Sequence, residues 1–167
     1  MKILIVSDTH GRMDNYYEVL QLEHDVDMVI HCGDLEGTED EITRSFPGPV
    51  VLVPGNNDFF SRVPREREFE LGPYRIWVTH GHSYYVSTGT DVLRQEAVAR
   101  GIDIALFGHI HRPLIQEEDG VLVMNPGSLV FPRQDGRKPS YIVMDLNMNT
   151  KEMPVAEVRY LRRNLDC

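Results

Sequence analysis

Short apolar runs recur along the chain, and most of them end directly in polar or glycine-containing residues. The six clearest are Ile3–Val6, Met28–Ile30, Val50–Val53, Ile76–Val78, Ile104–Phe107 and Val121–Met124. Hydrophobicity is continuous within each run rather than alternating, which is typical of strands buried on both faces of a sheet. Two further strands are predicted in the last third of the chain, at Tyr141–Met144 and Met153–Tyr160.

Three segments between these runs have the patterning of helices. Met13–Glu23 places apolar residues near one face, and Asp14 near its start favours a helix N-terminus. Glu39–Phe46 fits a short helix, and Thr90–Arg100 fits a longer one with Thr90 at the N-cap and Gly101 at its end. The order is βαβαβ, then βαβ, then mostly β. This order predicts an α/β fold with helices outside its sheets.

The polar clusters all follow the apolar runs in the direction of the chain. Ser-Asp-Thr-His follows the first run, His-Cys-Gly-Asp the second and Pro-Gly-Asn-Asn-Asp the third. In open α/β folds, ligands bind at the carboxyl ends of the strands. We therefore expect these clusters to converge on one rim of the molecule.

Composition narrows the class of protein further. The chain has 167 residues, which fits one domain spanning residues 1–167, and a formal charge of −9 from 17 basic and 26 acidic residues. That charge argues against an extended nucleic-acid-binding surface. The apolar runs are far shorter than the ~20 residues of a membrane helix. With only two cysteines, Cys32 and Cys167, and an early charge at the N-terminus, we expect a soluble cytoplasmic protein.

Histidine is the residue type that composition leaves unexplained. Five of the seven histidines lie in three clusters, Asp8-Thr-His10, His80-Gly-His82 and His109-Ile-His111. Residues two apart in an extended strand point to the same face, so Asp8 and His10 are expected to bind one ion. Carboxylate with imidazole suits Mn, Fe, Co or Zn. Each cluster alone fits a surface pair or a turn, and the signal lies in their recurrence after successive strands.

Taken in order, these motifs resemble a known family. They are Asp8-Thr-His10, Gly33-Asp34, Gly55-Asn56-Asn57-Asp58, His80-Gly-His82, Gly108-His109-Ile-His111 and Asn125-Pro-Gly-Ser128. The set resembles the motifs of calcineurin-like metallophosphoesterases, and the short length and spacing are most similar to the small prokaryotic YfcE-type phosphodiesterases. The resemblance implies a four-layer α/β/β/α sandwich of two mixed β-sheets flanked by helices.

The resemblance also implies a dinuclear centre of divalent ions, manganese first, with nickel, iron, cobalt and zinc as alternatives. One metal would be held by Asp8, His10 and His111. The other would be held by Asn56, His80 and His109, with Asp34 bridging the two. A bridging hydroxide would attack the phosphorus of a small phosphodiester, which makes the expected enzyme a phosphoric diester hydrolase.

Two residues are expected to act on the substrate rather than on the metals. Asn57 stands where many relatives have a histidine that contacts the scissile phosphate, and an amide cannot deliver a proton at neutral pH. His82 is a candidate to compensate, with a hydrogen-bonding or turn-stabilising role as the alternative. We therefore expect diester hydrolysis to exceed monoester hydrolysis.

Other polar residues near the motifs are interpreted without a ligand role. His31 is expected to pack or hydrogen-bond at a strand end, and Asp58 to cap a helix or lie near the metals without binding them. Asn125-Pro-Gly-Ser128 fits either the floor of a pocket or a simple tight turn.

Two other functions remain open on the sequence. A non-catalytic protein-interaction scaffold on the same fold is disfavoured because all seven ligand positions hold competent residue types, and a phosphomonoesterase is disfavoured by Asn57. The substrate is expected to be small, with local cationic contacts from Arg12, Arg133, Arg137 and Lys138. No membrane partner is expected, and a homo-oligomer is compatible with the resemblance.

Overall fold

Two five-stranded mixed sheets face each other in the computed structural model, which describes residues 1–162. The first sheet has the order β10-β9-β1-β2-β3, with β1 (Lys2–Val6), β2 (Met28–His31), β3 (Val50–Leu52), β9 (Ser140–Asp145) and β10 (Val155–Tyr160). The second has the order β4-β5-β6-β8-β7, with β4 (Glu66–Leu71), β5 (Tyr74–Thr79), β6 (Ile104–Leu106), β7 (Pro113–Glu118) and β8 (Val121–Pro126). The helices are α1 (Asp14–Leu22), α2 (Glu39–Ser45) and α3 (Asp91–Arg100), and His82–Tyr84 form one 3₁₀ turn.

The central strands are apolar on both faces because each face packs against a different layer. On β1, Ile3 and Ile5 belong to the core between the two sheets, whereas Leu4 and Val6 belong to the core beneath α1 and α2. A third cluster packs α3 onto the outer face of the second sheet through Leu93 and other residues. The layers are thus helix, sheet, sheet and helix, which confirms the expected four-layer sandwich. Continuous hydrophobicity is the signature of this double burial.

Parallel strands bring the polar loops to one rim. β1, β2 and β3 are parallel to each other, and so are β5, β6 and β8. Backbone hydrogen bonds join the loops that follow these strands: Asp8 N–H donates to the Gly33 carbonyl at 3.0 Å, and Gly108 N–H donates to the His80 carbonyl at 3.1 Å. The expected convergence of the polar clusters is confirmed.

The hydrophobic pattern did not predict β4 and β7. They are the two end strands of the second sheet, and each pairs with one neighbour only, β4 with β5 and β7 with β8. Their sequences, Glu-Arg-Glu-Phe-Glu-Leu and Pro-Leu-Ile-Gln-Glu-Glu, are mixed, and most of their residues are partly or fully exposed. Edge strands carry charge on their open side, which protects the sheet from pairing with another chain. A search for continuous apolar runs misses such strands.

The helix ends agree with the sequence in position but not in every contact. Asp14 is the first residue of α1, and Gly101 ends α3 with a φ of 68°, the left-handed conformation that glycine adopts without strain. Thr90 is the residue before α3, as expected, but its hydroxyl donates to Gln116 Oε1 at 3.2 Å instead of capping the helix. The N-cap position of Thr90 is confirmed, but its side chain makes no capping hydrogen bond within residues 1–162, because β7 offers the hydroxyl another acceptor.

The lengths of the helices show whether any of them could cross a membrane. The longest described helix, α3, has 10 residues, and a membrane-crossing helix needs ~20. Across residues 1–162, no helix is both long enough and apolar enough to cross a membrane.

Truncating a side chain between the two sheets tests this packing. Leu106 on β6 is 0% exposed in the inter-sheet core, whereas Leu22 on α1 is 56% exposed. We expect Leu106→Ala to lower the free energy of unfolding by about 2–5 kcal/mol, because it leaves a cavity in a dry core. Leu22→Ala is the matched control, with an expected change below about 1 kcal/mol. Urea denaturation measures both, and equal losses would contradict the assigned core.

Candidate metal centre

The loops after the strands have an unusual backbone that aims their side chains. Five of the nine non-glycine residues with positive φ in residues 1–162 are predicted ligands. They are Asp8, His10, Asp34, His109 and His111, with φ between 46° and 71°. Aspartate and histidine tolerate this conformation better than most residues, and strained backbone of this kind clusters at functional sites.

The extended-strand geometry expected for Asp8 and His10 is wrong. β1 ends at Val6, so neither residue lies in an extended strand, and the two-residue alternation of strands does not apply. The loop itself turns both side chains toward one point, where His10 Nε2 lies 3.9 Å from Asp8 Oδ1. The spacing of Asp8 and His10 predicts that they lie together, but left-handed backbone at both residues brings them together.

Four predicted ligands form a first group. One donor atom each from Asp8, His10, Asp34 and His111 lies within 4.8 Å of all the others. His111 Nε2 is 3.0 Å from Asp8 Oδ1 and 3.3 Å from His10 Nε2. All of these residues are buried or half-buried, so the group faces a sheltered space.

The remaining three predicted ligands form a second group around the Asn56 side-chain oxygen. His109 Nδ1 lies 2.8 Å from Asn56 Oδ1, and His80 Nε2 lies 3.1 Å from it. The His109 backbone N–H also donates to Asp8 Oδ2 at 3.2 Å, which ties this group to the first one.

Asp34 lies between the two groups. Its Oδ2 is 3.7 Å from His10 Nε2 in the first group, and its Oδ1 is 3.5 Å from His80 Nε2 in the second. Burial opposes ionisation of Asp34, but the hydrogen bond and charge of His80, the Asn57 N–H and the charge of His10 outweigh it and hold the pKa of Asp34 well below its usual range. An ionised carboxylate with one oxygen toward each group has the form of a bridging ligand.

Three histidines have their ring orientation fixed by acceptors behind them. His80 Nδ1 lies 2.7 Å from the Cys32 carbonyl, and His111 Nδ1 lies 2.8 Å from the Phe131 carbonyl. His10 Nδ1 lies 2.7 Å from the Glu36 carboxylate. Carbonyl and carboxylate oxygens only accept, so Nδ1 carries the proton in each ring.

When these rings are neutral, as metal binding requires, Nε2 of each ring carries a lone pair, and those of His80 and His111 face the oxygens Asn56 Oδ1 and Asp8 Oδ1. A histidine that binds metal through one nitrogen commonly donates its other N–H to a carbonyl or carboxylate, as His10, His80 and His111 do. Electron pairs that face each other repel unless positive charge lies between them. The donor set of carboxylate, amide and imidazole suits a divalent ion of the first transition row.

The Asp8 carboxylate tests independently whether a cation suits this set of donors. Its Oδ1 is fully buried and accepts no hydrogen bond from residues 1–162, although its Oδ2 accepts one from the Ser7 hydroxyl at 2.6 Å. Burial works to raise the pKa of Asp8, but the His111 imidazole and the charge of His80 outweigh it and keep the pKa below its usual value. A buried carboxylate oxygen without a donor is costly. A cation at this point would satisfy it.

Two glycines are required by close approach to the ligands. A Cβ on Gly55 would lie 2.0 Å from Asp34 Oδ1, and a Cβ on Gly108 would lie 2.1 Å from the Ser7 hydroxyl and 2.9 Å from Asp8 Oδ2. Any larger residue would displace the carboxylates. The glycines next to the predicted ligands thus have a steric role in the site.

Asn57 and His82, the residues expected to act on substrate, lie at the edge of this site. The Asn57 side-chain amide donates to Asp34 Oδ2 at 2.8 Å, which leaves its second hydrogen available. The His82 ring lies 5.5 Å from that of His80, and its buried Nδ1 has no hydrogen-bond partner within residues 1–162. Burial and the charge of His80 lower the pKa of His82. His82 also lines a cavity of about 280 Å³ together with Asn56 and Arg65.

His31 and Asp58 support the loops from behind. Buried His31 hydrogen-bonds to the Thr9 hydroxyl at 3.0 Å and accepts the Gly33 N–H at 3.2 Å, and burial lowers its pKa to about 4. The Asp58 carboxylate accepts three backbone N–H groups, those of Leu35, Glu36 and Gly55. As expected, neither residue joins the two groups of donors.

Further supporting contacts were not predicted from the sequence. Glu36 orients His10, and nothing in its spacing marks it apart from its place two residues after Asp34. Asn125 and Ser128 donate to the carbonyls of Gly108 and Asp8, at 2.6 and 2.9 Å. Their motif therefore holds the backbone of two ligand loops in addition to forming a turn.

Comparisons with known proteins agree with this geometry. Residues 1–149 match the family model of the calcineurin-like phosphoesterase superfamily domain. The chain is 34% identical over 161 residues to the probable metallophosphoesterase YsnB of Bacillus subtilis, covering 96% of this chain and 90% of that protein. It is 29% identical over 147 residues to phosphodiesterase MJ0936 of Methanocaldococcus jannaschii, covering 76% and 83%.

Solved structures show the same fold. A predicted phosphoesterase from Streptococcus pneumoniae superposes with a TM-score of 0.77 at 28% identity, covering 95% of this chain and 97% of that one. Vps29 from Entamoeba histolytica complexed with zinc superposes with a TM-score of 0.77 at 21% identity, covering 96% and 99%. At 21% identity, the similarity to Vps29 shows a shared fold only.

Removing Glu36 tests the orientation of the His10 ring. We expect Glu36→Ala to weaken Mn²⁺ binding by about 10- to 100-fold, because His10 loses the acceptor that fixes its ring. Isothermal titration of the metal-free protein measures the affinity. Glu18→Ala, which removes an exposed carboxylate from α1, is the matched control and should bind like the wild type. Equal affinities in the two variants would contradict the role given to Glu36.

Proposed function

The chain belongs to the calcineurin-like phosphoesterase superfamily, and from that premise we propose that it is a metal-dependent phosphodiesterase acting on a small substrate. The observation that carries the proposal is the pair of donor groups that share Asp34. We assign one divalent ion to each group, as the resemblance in sequence implies. The ligands of the first ion would be Asp8, His10 and His111, those of the second Asn56, His80 and His109, with Asp34 bridging.

Each part of the proposed site has a separate task. Two divalent ions, when bound, would lower the pKa of a water molecule and offset the charge of the phosphate oxygens. Asn57 would donate its second amide hydrogen to a phosphate oxygen while it holds Asp34. His82, in the cavity next to Asn56, would hydrogen-bond to the ester arm that lies there.

The donor chemistry is compatible with manganese, which is the first choice that the resemblance implies. Three of the seven donors are oxygen and four are nitrogen, a mixture that manganese accepts and that nickel, iron, cobalt and zinc accept as well. A thiolate would have favoured zinc, but Cys32 is fully buried, and burial raises the pKa of its thiol far above neutrality. Cys32 contributes only its carbonyl, which orients His80.

Several expectations about the whole protein stay proposals beside this one. We interpret residues 1–167 as one cytoplasmic domain, with self-association left as an expectation. The formal charge of −9 supports a small substrate over a nucleic-acid polymer, since like charges repel away from the metals. A protein-interaction scaffold on the same fold, which the sequence leaves open, is the rival outcome of the activity test below.

Substrate class and metal dependence are tested together. We expect protein stripped with a chelator and reloaded with Mn²⁺ to hydrolyse bis(4-nitrophenyl) phosphate with a higher kcat/KM than 4-nitrophenyl phosphate. Asp8→Asn should lower the rate by at least about a hundredfold, the scale of losing an electrostatic stabiliser. Asp14→Asn, on the exposed start of α1, is the matched control and should keep full activity.

Two results would contradict the proposal. A strong preference for the monoester would replace the diesterase with a monoesterase. Bound metal without activity on either ester, with any of the five metals, would favour the scaffold.

Substituting Asn57 tests the reason for the diester preference. We expect Asn57→His to raise the monoester rate relative to the diester rate, because an imidazole can supply a proton to a poor leaving group and an amide cannot. The two 4-nitrophenyl esters give the ratio directly. An unchanged ratio would remove Asn57 from the account of specificity.

A further inference from the structure

The arginines of this acidic chain fall into two kinds. Five have a carboxylate within 4.0 Å, and these are Arg44, Arg75, Arg94, Arg100 and Arg159. The other eight have no such partner within residues 1–162, and four of these are exposed on loops near the first donor group: Arg12, Arg112, Arg133 and Arg137. The protein has a formal charge of −9, so this group of guanidinium groups forms a local positive patch on a negatively charged molecule.

Three of these four arginines line one cavity. It has a volume of about 560 Å³, and its walls are Arg112, Arg133 and Arg137 together with residues 130–132. Arg112 Nε donates to the Arg133 carbonyl at 3.3 Å, so the two side-chain positions are linked through one backbone segment. Arg12 adds positive charge from the side, with its guanidinium 5.2 Å from the centre of the Phe131 ring.

The wall of this cavity is the backbone that holds the first donor group. The Phe131 carbonyl accepts from His111 Nδ1 at 2.8 Å, and the Arg133 N–H donates to the His111 carbonyl at 2.9 Å. The Phe131 ring lies 5.1 Å from that of His10. The cavity therefore adjoins the first donor group, since Phe131 and Arg133 line the one and contact histidines of the other.

We propose that the cavity of Arg112, Arg133 and Arg137 binds a second phosphate group of the substrate. This rests on the proposed phosphodiesterase function and names its substrate class: a small phosphodiester that carries another phosphate on one ester arm. Planar guanidinium groups bind phosphate oxygens in pairs, and three of them match a dianion with three free oxygens. In the reaction, water adds to the diester phosphorus, one ester bond breaks, and the leaving oxygen departs with a proton as an alcohol. The second phosphate keeps all its bonds.

Two matched substrates measure the preference. They are thymidine 5′-(4-nitrophenyl phosphate) and the same compound with a phosphate on its 3′ oxygen, and release of 4-nitrophenol reports both. We expect the Mn²⁺-loaded wild type to favour the 3′-phosphorylated compound in kcat/KM by at least about tenfold, the scale of a hydrogen bond between charged groups. The double variant Arg133→Gln/Arg137→Gln should bring that ratio close to unity. Arg67→Gln, on exposed β4 outside the cavity, should retain it.

Binding to metal-free protein separates this proposal from the proposed function. Isothermal titration with pyrophosphate should show binding that weakens by at least about tenfold in the double variant and not in Arg67→Gln. Equal binding by the wild type and the double variant, or an equal substrate ratio in both, would overturn the phosphate subsite. Arginine-dependent binding of pyrophosphate with no hydrolysis of either ester would support the subsite and reject the phosphodiesterase.

Discussion

The metal centre depends on one physical constraint. Ring nitrogens and carboxylate oxygens that carry lone pairs lie close together at one rim of the two-sheet sandwich, where they repel one another. The carbonyls of Cys32 and Phe131 hold the Nδ1 protons of His80 and His111, so that in the neutral rings the Nε2 lone pairs face oxygen atoms. Asp8 adds a buried carboxylate oxygen that accepts no hydrogen bond within the described part of the chain. A protein that collects such groups in a sheltered space destabilises itself unless cations bind there. Family membership and donor chemistry agree on what those cations are: divalent metals.

The sandwich stabilises this arrangement from a distance. Its two sheets share a dry core, and the parallel strands end at one rim, so the loops there tolerate strained backbone at Asp8, His10 and Asp34. Hydrogen bonds behind the ligand side chains keep that backbone in place, among them one that Asp58 accepts from the Gly55 N–H and one that Ser128 donates to the Asp8 carbonyl. The core residues therefore stabilise the fold, and the loop residues form the metal site.

Sequence patterns predict the buried part of this protein well because burial imposes them. β1 and β2 are apolar on both faces, and the glycines beside the ligands are explained by close approach, so both are visible as patterns. β4 and β7 mix apolar with charged residues, so no continuous apolar run predicts them. Glu36 was missed because its contact with His10 depends on how two loops fold toward each other, which no local spacing encodes. The arginine cavity likewise combines residues about 20 positions apart in the chain, beyond the reach of a local pattern.

Anomalous diffraction from crystals grown with Mn²⁺ tests the central claim most directly, because it locates manganese without reference to activity. The account predicts two peaks per chain about 3.5–4 Å apart, one beside His111 and one beside His80, with Asp34 between them. A single peak, or none at this rim, would contradict it.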